Sequence, residues 1–506
     1  MLILSVGPRF IDMRQTIICT FLLLCVFSAA AQTSPEADEA RAAVEAAATD
    51  PALSQAVVSI CAMKGDGSVI VDIDGDNMLV PASNMKLIST GLALHHFGPE
   101  HRFETQIAYD GEITDGTLNG NIYIIGKGDP TLASPDSIAV NIEKVFSQWT
   151  SFVKAAGIKR VEGRIIGDGR YFDGMIEEPT WLWNDIGTYY GAGATGLMFY
   201  ENMQSFSAAA GAQVGDPVKI EPSYPDTPWM EFRYNCSTGE KGTGDMLFMY
   251  TSDLAPVAEI RGTFGVDRAK KRVDCSNKFP EYTCAHYFRN YLIKSGVKCE
   301  GGVGDFRMDT RWEPCGEMTV IGTTYSPALS RIAFETNHAS NNLFAETLLR
   351  SLGREMTGSA CYDSCYVAAY DIMKELKINT SRGVDIQDGS GLSRQNYVSA
   401  DFFCRFLLGM MCSPHFETYA ASLPSPGKEG TLLYNMKSYP AAMKDRILVK
   451  SGSMNGVRCY SGYIIPTEGA KEETIIFSIM VNSCTSPTWK VRPLLDKIMG
   501  ALAGLN

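Results

Sequence analysis

The chain has 506 residues, 45% hydrophobic and 20% charged, which is apolar enough to build a large core, and its aromatic content of 10% excludes a disordered polymer. At about 150 residues per domain, this length predicts three domains or one large domain with insertions. Lys and Arg number 45 against 57 Asp and Glu, a net charge of −12, the wrong sign for a protein that grips nucleic acid through a basic surface.

Met13-Arg14 precedes an apolar run at 17–27, and Ser28-Ala29-Ala30-Ala31 then supplies small residues for cleavage after Ala31. A basic flank, a short apolar run and an Ala-x-Ala end predict a secretory signal peptide over 1–31; a bilayer span would need about 20 apolar residues. Export places the mature chain in the periplasm or cell envelope, where peripheral association with the envelope is allowed. Cleavage removes Arg9, Asp12 and Arg14, taking the charge to −13, and removes Cys19 and Cys25, leaving twelve of the 14 cysteines. An even dozen in an exported chain predicts structural disulfides, with Cys275/Cys284 and Cys404/Cys412 as local pairs. Cys-x-x-Cys and His-Glu-x-x-His are absent and the six histidines show no ligand spacing, so neither a metal nor another cofactor is expected.

The Ala/Glu-rich stretch 39–48 predicts a helix, and the β-rich runs 57–63 and 68–73 predict a hairpin around Lys64-Gly65-Asp66-Gly67. Over 81–94 apolar residues fall on nearly every side, which predicts a buried helix. From about 104 to 316 the chain is rich in Gly, Asp and short β runs such as 121–125 and 164–166. That segment reads as two β-rich inserted domains, one nested in the other. Helical pattern returns over 327–354; the runs 447–450, 457–465 and 474–481 predict strands, and 487–502 an amphipathic helix. The predicted class is α/β (α+β): residues 32–104 and 317–506 form one domain, and 105–316 are inserted. Its antiparallel sheet draws on both chain ends and is flanked by helices.

Ser-x-x-Lys on a helix sets a hydroxyl and an amine one turn apart on one face. In an apolar pocket the lysine loses affinity for its proton and can accept one from the serine. The tetrad occurs at Ser83, Ser151, Ser295 and Ser425. Ser425 lies in a loop, Gly296 breaks the second position after Ser295, and Ser151 lies on an ordinary amphipathic helix. Only Ser83 opens a buried helix, with Lys86 one turn on. Alone, the pair would read as an N-cap serine beside a snorkelling lysine. It is accompanied by Ser340-Asn341-Asn342 between two helical stretches, and by Lys450-Ser451-Gly452-Ser453 at the end of a β run. A second Lys-Ser-Gly, at Lys294, ends a helix and lacks the strand. Ser-x-x-Lys, Ser-x-Asn and Lys-Ser/Thr-Gly, in that order and in those elements, are the signature of penicilloyl-serine transferases.

With these motifs the chain closely resembles the class C low-molecular-mass (type-4) penicillin-binding proteins, the D-alanyl-D-alanine carboxypeptidases/endopeptidases. Gly126-Lys127-Gly128-Asp129-Pro130-Thr131-Leu132, Tyr189-Tyr190-Gly191-Ala192-Gly193 and Asp388-Gly389-Ser390-Gly391-Leu392-Ser393-Arg394 carry the resemblance, with Ser422-Leu423-Pro424 and Gly430-Thr431-Leu432. Lys-Ser-Gly stands where Lys-Thr-Gly is commoner, and Asn341 where Asp is common. The resemblance implies a β-lactamase-like catalytic domain acting on peptidoglycan stem peptides, with β-lactams as covalent inhibitors. It implies Ser83 as nucleophile, Lys86 as general base and Ser340 as a proton relay, with Asn342 on the substrate amide. Lys450 and Ser451 would meet the terminal carboxylate. The N–H groups of Ser83 and of Ser453, the residue after Gly452, would form the oxyanion hole. Asp168 and Arg394 would read the side chain of meso-diaminopimelate. The rival readings are a serine β-lactamase, which would need a residue to activate the deacylating water, and a non-catalytic peptidoglycan-binding scaffold, which would tolerate loss of a motif residue.

Overall fold

The computed structural model describes residues 35–309 and 317–505; the expected signal peptide lies outside them. The strand Ile475–Asn482 is buried along its whole length. Ile475, Phe477, Ile479 and Val481 pack into one core, and Ile476 and Met480 into another, the two-residue alternation of a strand covered on both faces. Around it runs an antiparallel sheet in the order Val69–Ile73, Val57–Lys64, Ile475–Asn482, Val457–Ile464, Ile447–Met454. The helices Pro35–Ala48 and Thr488–Ala503 cover one face, through Val44, Leu495 and Ile498. Ala400–Met410 covers the other, backed by Met85–Phe97, Leu329–His338, Asn342–Thr357 and Tyr362–Glu375. The motif-bearing strand Ile447–Met454 is an edge of this sheet; its Val449 N–H is taken by the Pro424 carbonyl at 2.9 Å, and its Ser453 end opens on the cleft.

The insertion has its own core. Glu104–Tyr109, Ile122–Gly126, Ile165–Asp168, Val303–Asp305 and Thr319–Tyr325 share a sheet, and the helices Ile142–Ala155 and Pro280–Lys294 bury Phe146, Trp149 and Phe288 beside it. Thr319–Tyr325 pairs with Glu104–Tyr109, so the insertion closes at 325 and not at 316. Those two helices, of 14 and 15 residues, also make this part mixed α/β where a β-rich domain was expected. Nested inside lies a unit of two three-stranded sheets, one centred on Met203–Ala209 and the other on Ala255–Gly265.

The predicted disulfides are not formed: among the described residues eleven cysteines are free thiols. Cys275 packs with Phe206, Met249 and Ile260, whereas Cys284 packs with Phe146 and Phe288, so the two point into different cores. The Cys404 thiol is buried and donates to the Cys61 carbonyl at 3.3 Å, while Cys412 is exposed. Burial pushes the Cys275, Cys365 and Cys459 thiols up to about 12, which suits packing residues and not nucleophiles.

Candidate active site

Ser83 sits in a 3₁₀ turn, Ala82–Asn84, that runs straight into the helix Met85–Phe97. Ala82 has φ +47°, a left-handed conformation that costs an L-residue about 1–2 kcal/mol. Two backbones press on this turn. A Cβ on Gly391 (φ +83°) would lie 1.8 Å from the Ala82 carbonyl oxygen, and one on Gly452 would lie 2.5 Å from that of Pro81. Only glycine admits both approaches, which is the physical content of the Ser-Gly-Leu and Lys-Ser-Gly motifs.

Lys86 is completely buried. Its Nζ lies 3.0 Å from Ser83 Oγ and donates to Asn342 Oδ1 and to the Ser390 carbonyl, each at 2.7 Å. Burial lowers its pKa to about 7, the charges of Asp388 and Glu346 opposing part of the fall. A near-neutral amine in contact with the hydroxyl is what a general base requires.

Ser340 (φ +58°) precedes the helix Asn342–Thr357. Its hydroxyl accepts from Lys450 Nζ at 3.0 Å, and the same ammonium donates to the Ser451 carbonyl at 2.8 Å. Lys450 too is fully buried. Burial first, and then repulsion from Lys86, hold its pKa well below the ordinary lysine value. Ser451 Oγ lies 2.8 Å from Thr431 Oγ1. The structure thus brings together Ser83, Lys86, Ser340, Asn342, Lys450 and Ser451, and Gly452 presses on the nucleophile turn. Exposed Ser453 lines the cleft of about 590 Å³ that also receives Ser83, Ser340 and Asn342. Of the other Ser-x-x-Lys serines, Ser151 lies on the helix Ile142–Ala155 and Ser295 caps Pro280–Lys294, outside that cleft.

Several supporting residues escaped the sequence analysis. Glu346 is buried on the motif helix, accepts from the N–H groups of Ser390 (2.8 Å) and Gly389 (3.2 Å), and is raised to about 8 by burial and by Asp388. Its signal was a lone carboxylate on the apolar side of that helix. Asp388 accepts from the N–H groups of Gly391 (2.7 Å) and Ser393 (2.6 Å) and from the Trp181 indole (2.9 Å). Asn341 caps the motif helix by accepting from the Phe344 N–H, while its Nδ2 donates to Glu201 at 2.8 Å. Asn342 Nδ2 donates to the Tyr190 carbonyl at 2.9 Å, leaving its second hydrogen for a ligand. Trp181, Tyr190 and Glu201 all belong to the insertion, and no local pattern links them to the motifs they hold.

Asp168 requires correction. It ends the strand Ile165–Asp168, buried and bound by Arg170 through two hydrogen bonds of 2.9 and 2.7 Å, and it does not line the cleft. Arg394 does, its guanidinium donating to the Asn455 carbonyl at 3.4 Å. The carboxylate sharing the cleft with Arg394 is Asp185, held at 3.2 Å by the Tyr190 hydroxyl. Burial raises the Asp185 carboxyl, and the Tyr190 hydrogen bond and the Arg394 charge oppose that rise. An acidic and a basic side chain thus share the cleft, with Asp185 and not Asp168 as the acid.

The chain matches the D-Ala-D-Ala carboxypeptidase 3 (S13) family over residues 40–497. It is 29% identical over 467 residues to a D-alanyl-D-alanine carboxypeptidase of Actinomadura sp. (strain R39), covering 89% of this chain and 82% of that one. A penicillin-sensitive carboxypeptidase A of Dictyostelium discoideum is 25% identical, over 86% and 84% of the two chains. The crystal structure of penicillin binding protein 4 (dacB) from Haemophilus influenzae superimposes with a TM-score of 0.76 at 20% identity, covering 90% of this chain and 97% of that one.

Proposed function

Because the chain belongs to the D-Ala-D-Ala carboxypeptidase 3 (S13) family, and is thereby a serine peptidase, we propose that it trims peptidoglycan stem peptides through an acyl-enzyme on Ser83. The observation that carries this reading is the buried Lys86 amine, with a pKa near 7, 3.0 Å from Ser83 Oγ. Ser83 Oγ attacks the carbonyl carbon of the penultimate D-Ala while its proton passes to Lys86, and the N–H groups of Ser83 and Ser453 stabilise the oxyanion. Collapse breaks the C–N bond, and the departing D-Ala amine takes a proton through the Ser340 hydroxyl, which Lys450 holds. Water then hydrolyses the ester and regenerates Ser83. Lys450, Ser451 and Thr431 stand where the terminal carboxylate arrives, which supports a preference for a free C-terminus. Arg394 and Asp185 offer one charge each to the carboxylate and the ammonium at the end of a diaminopimelate side chain.

The same geometry supports acylation by β-lactams, whose strained amide replaces the scissile peptide, and cleavage of cross-linked stems as a second activity. The signal-peptide pattern supports export to the periplasm or cell envelope, where that substrate lies. Ser83→Ala is expected to abolish both covalent labelling by a fluorescent penicillin and D-Ala release from a diaminopimelate pentapeptide, with an unchanged circular dichroism spectrum. Labelling that persists in the variant would overturn the assignment.

A further inference from the structure

The short helix Trp183–Ile186 separates two cavities. Leu182, Asn184 and Asp185 line the catalytic cleft, whereas Trp183, roughly opposite at about 100° per residue, lines a second cavity of about 530 Å³. The floor of that cavity is one face of the nested sheet. Register places Arg233, Tyr250, Glu259 and Arg261 together on that face, while Met249, Ala258 and Ile260 fill the core behind it. A solvated sheet face needs no aromatic ring, yet Trp183 is 59% exposed and stacks on Tyr250 with ring centroids 6.4 Å apart and planes 30° apart. The Arg261 guanidinium lies 5.7 Å from the centre of the Tyr250 ring and is fixed by Glu259 at 2.9 Å.

We propose that this cavity, lined by the Trp183–Tyr250 stack and by Arg261, is a glycan subsite that holds an N-acetylated amino-sugar of the strand bearing the stem peptide. The inference rests on the peptidoglycan reading above. The exposed Trp183 ring offers a face to the C–H side of a pyranose, and the surrounding guanidinium and carboxylate groups and the Ser252 hydroxyl match its hydroxyls and acetamide. Length is compatible. With the free carboxylate at Lys450 and the diaminopimelate side chain at Arg394 and Asp185, two residues of the stem remain between the diaminopimelate main chain and the sugar, and at about 3.4 Å per residue they bridge about 7 Å.

The test compares a disaccharide-pentapeptide with the same pentapeptide lacking sugar, and titrates a peptide-free N-acetylglucosamine–N-acetylmuramic acid tetrasaccharide into the intact protein, read by tryptophan fluorescence. Trp183→Ala, and separately Tyr250→Ala, are expected to lower kcat/KM about tenfold on the disaccharide-pentapeptide and little on the bare peptide. Both variants are also expected to abolish the tetrasaccharide response, with penicillin acylation unchanged. Equal losses on both substrates, or no saturable tetrasaccharide binding by the wild-type protein, overturns the proposal; the first outcome would mean that the stacked rings only brace the helix. Wild-type protein that binds the tetrasaccharide but releases D-Ala from neither peptide would leave the subsite standing and sink the carboxypeptidase reading instead.

Discussion

Lys86 and Lys450 are both sealed from water, and the Lys86 charge adds to burial in making Lys450 hard to protonate. Lys86 acts as a base only when neutral, so kcat/KM should fall about tenfold per pH unit below its pKa of about 7 and level off above it. A pH profile of penicillin acylation measures this without product release intervening; a flat profile from pH 5 to 8, as about three units would span, would remove Lys86 from the base role. Lys450 responds in the opposite sense, because a substrate carboxylate beside it restores its hold on a proton. Across the cleft, Arg394→Ala should reduce kcat/KM by about tenfold to a hundredfold for peptides bearing a diaminopimelate carboxylate, the worth of one charge-assisted contact. Penicillin lacks that arm and should acylate the variant normally. Equal losses on substrates with and without the arm would show that Arg394 merely braces the loop through Asn455.

Between elements, the site depends on how closely three backbones approach. The Ser83 turn, the Asp388–Ser393 loop and the edge strand Ile447–Met454 meet at Gly391 and Gly452. Gly391→Ala should cost about 1–3 kcal/mol in urea unfolding and also slow acylation, since the new methyl must push the Ala82 carbonyl aside. A variant as stable and as fast as the parent would show that the turn is free to move. What the sequence revealed here follows from range. Ser83 to Lys86 is a single helical turn, and the alternation of Ile475 to Val481 is local, so both were legible. Asp185 was not, because its relation to Arg394 spans more than 200 residues and depends on which way a four-residue helix turns. The left-handed Ala82 carries no compositional mark at all.

At the scale of the molecule, the insertion and the catalytic domain share one hydrogen-bond network. The Trp181 indole donates to buried Asp388, and Arg350 on the motif helix reaches the carbonyls of Met175 and Ala194. Trp181→Phe keeps an aromatic ring but removes the indole N–H and part of the buried volume, so a loss of at least about 1–3 kcal/mol is expected in denaturant melts; no change would mean that water replaces the indole. Counting cysteines misled because number and compartment carry no geometry. In the unfolded, unreduced protein the eleven described thiols should all titrate with a disulfide reagent, whereas in the native state exposed Cys412 should react first; a shortfall after unfolding would reveal a pair. The insertion was legible as a change in composition, but its closing strand was not, because that strand is defined by its partner at the opening. The same logic governs the catalytic sheet, where Val57–Lys64 lies against Ile475–Asn482. During synthesis the first of these leaves the ribosome some 400 residues before the second, and the intervening insertion can condense around its own core in the meantime. The nucleophile is thus made early and stays idle until the last strand arrives, so a truncated or half-synthesised chain has no means of cutting anything.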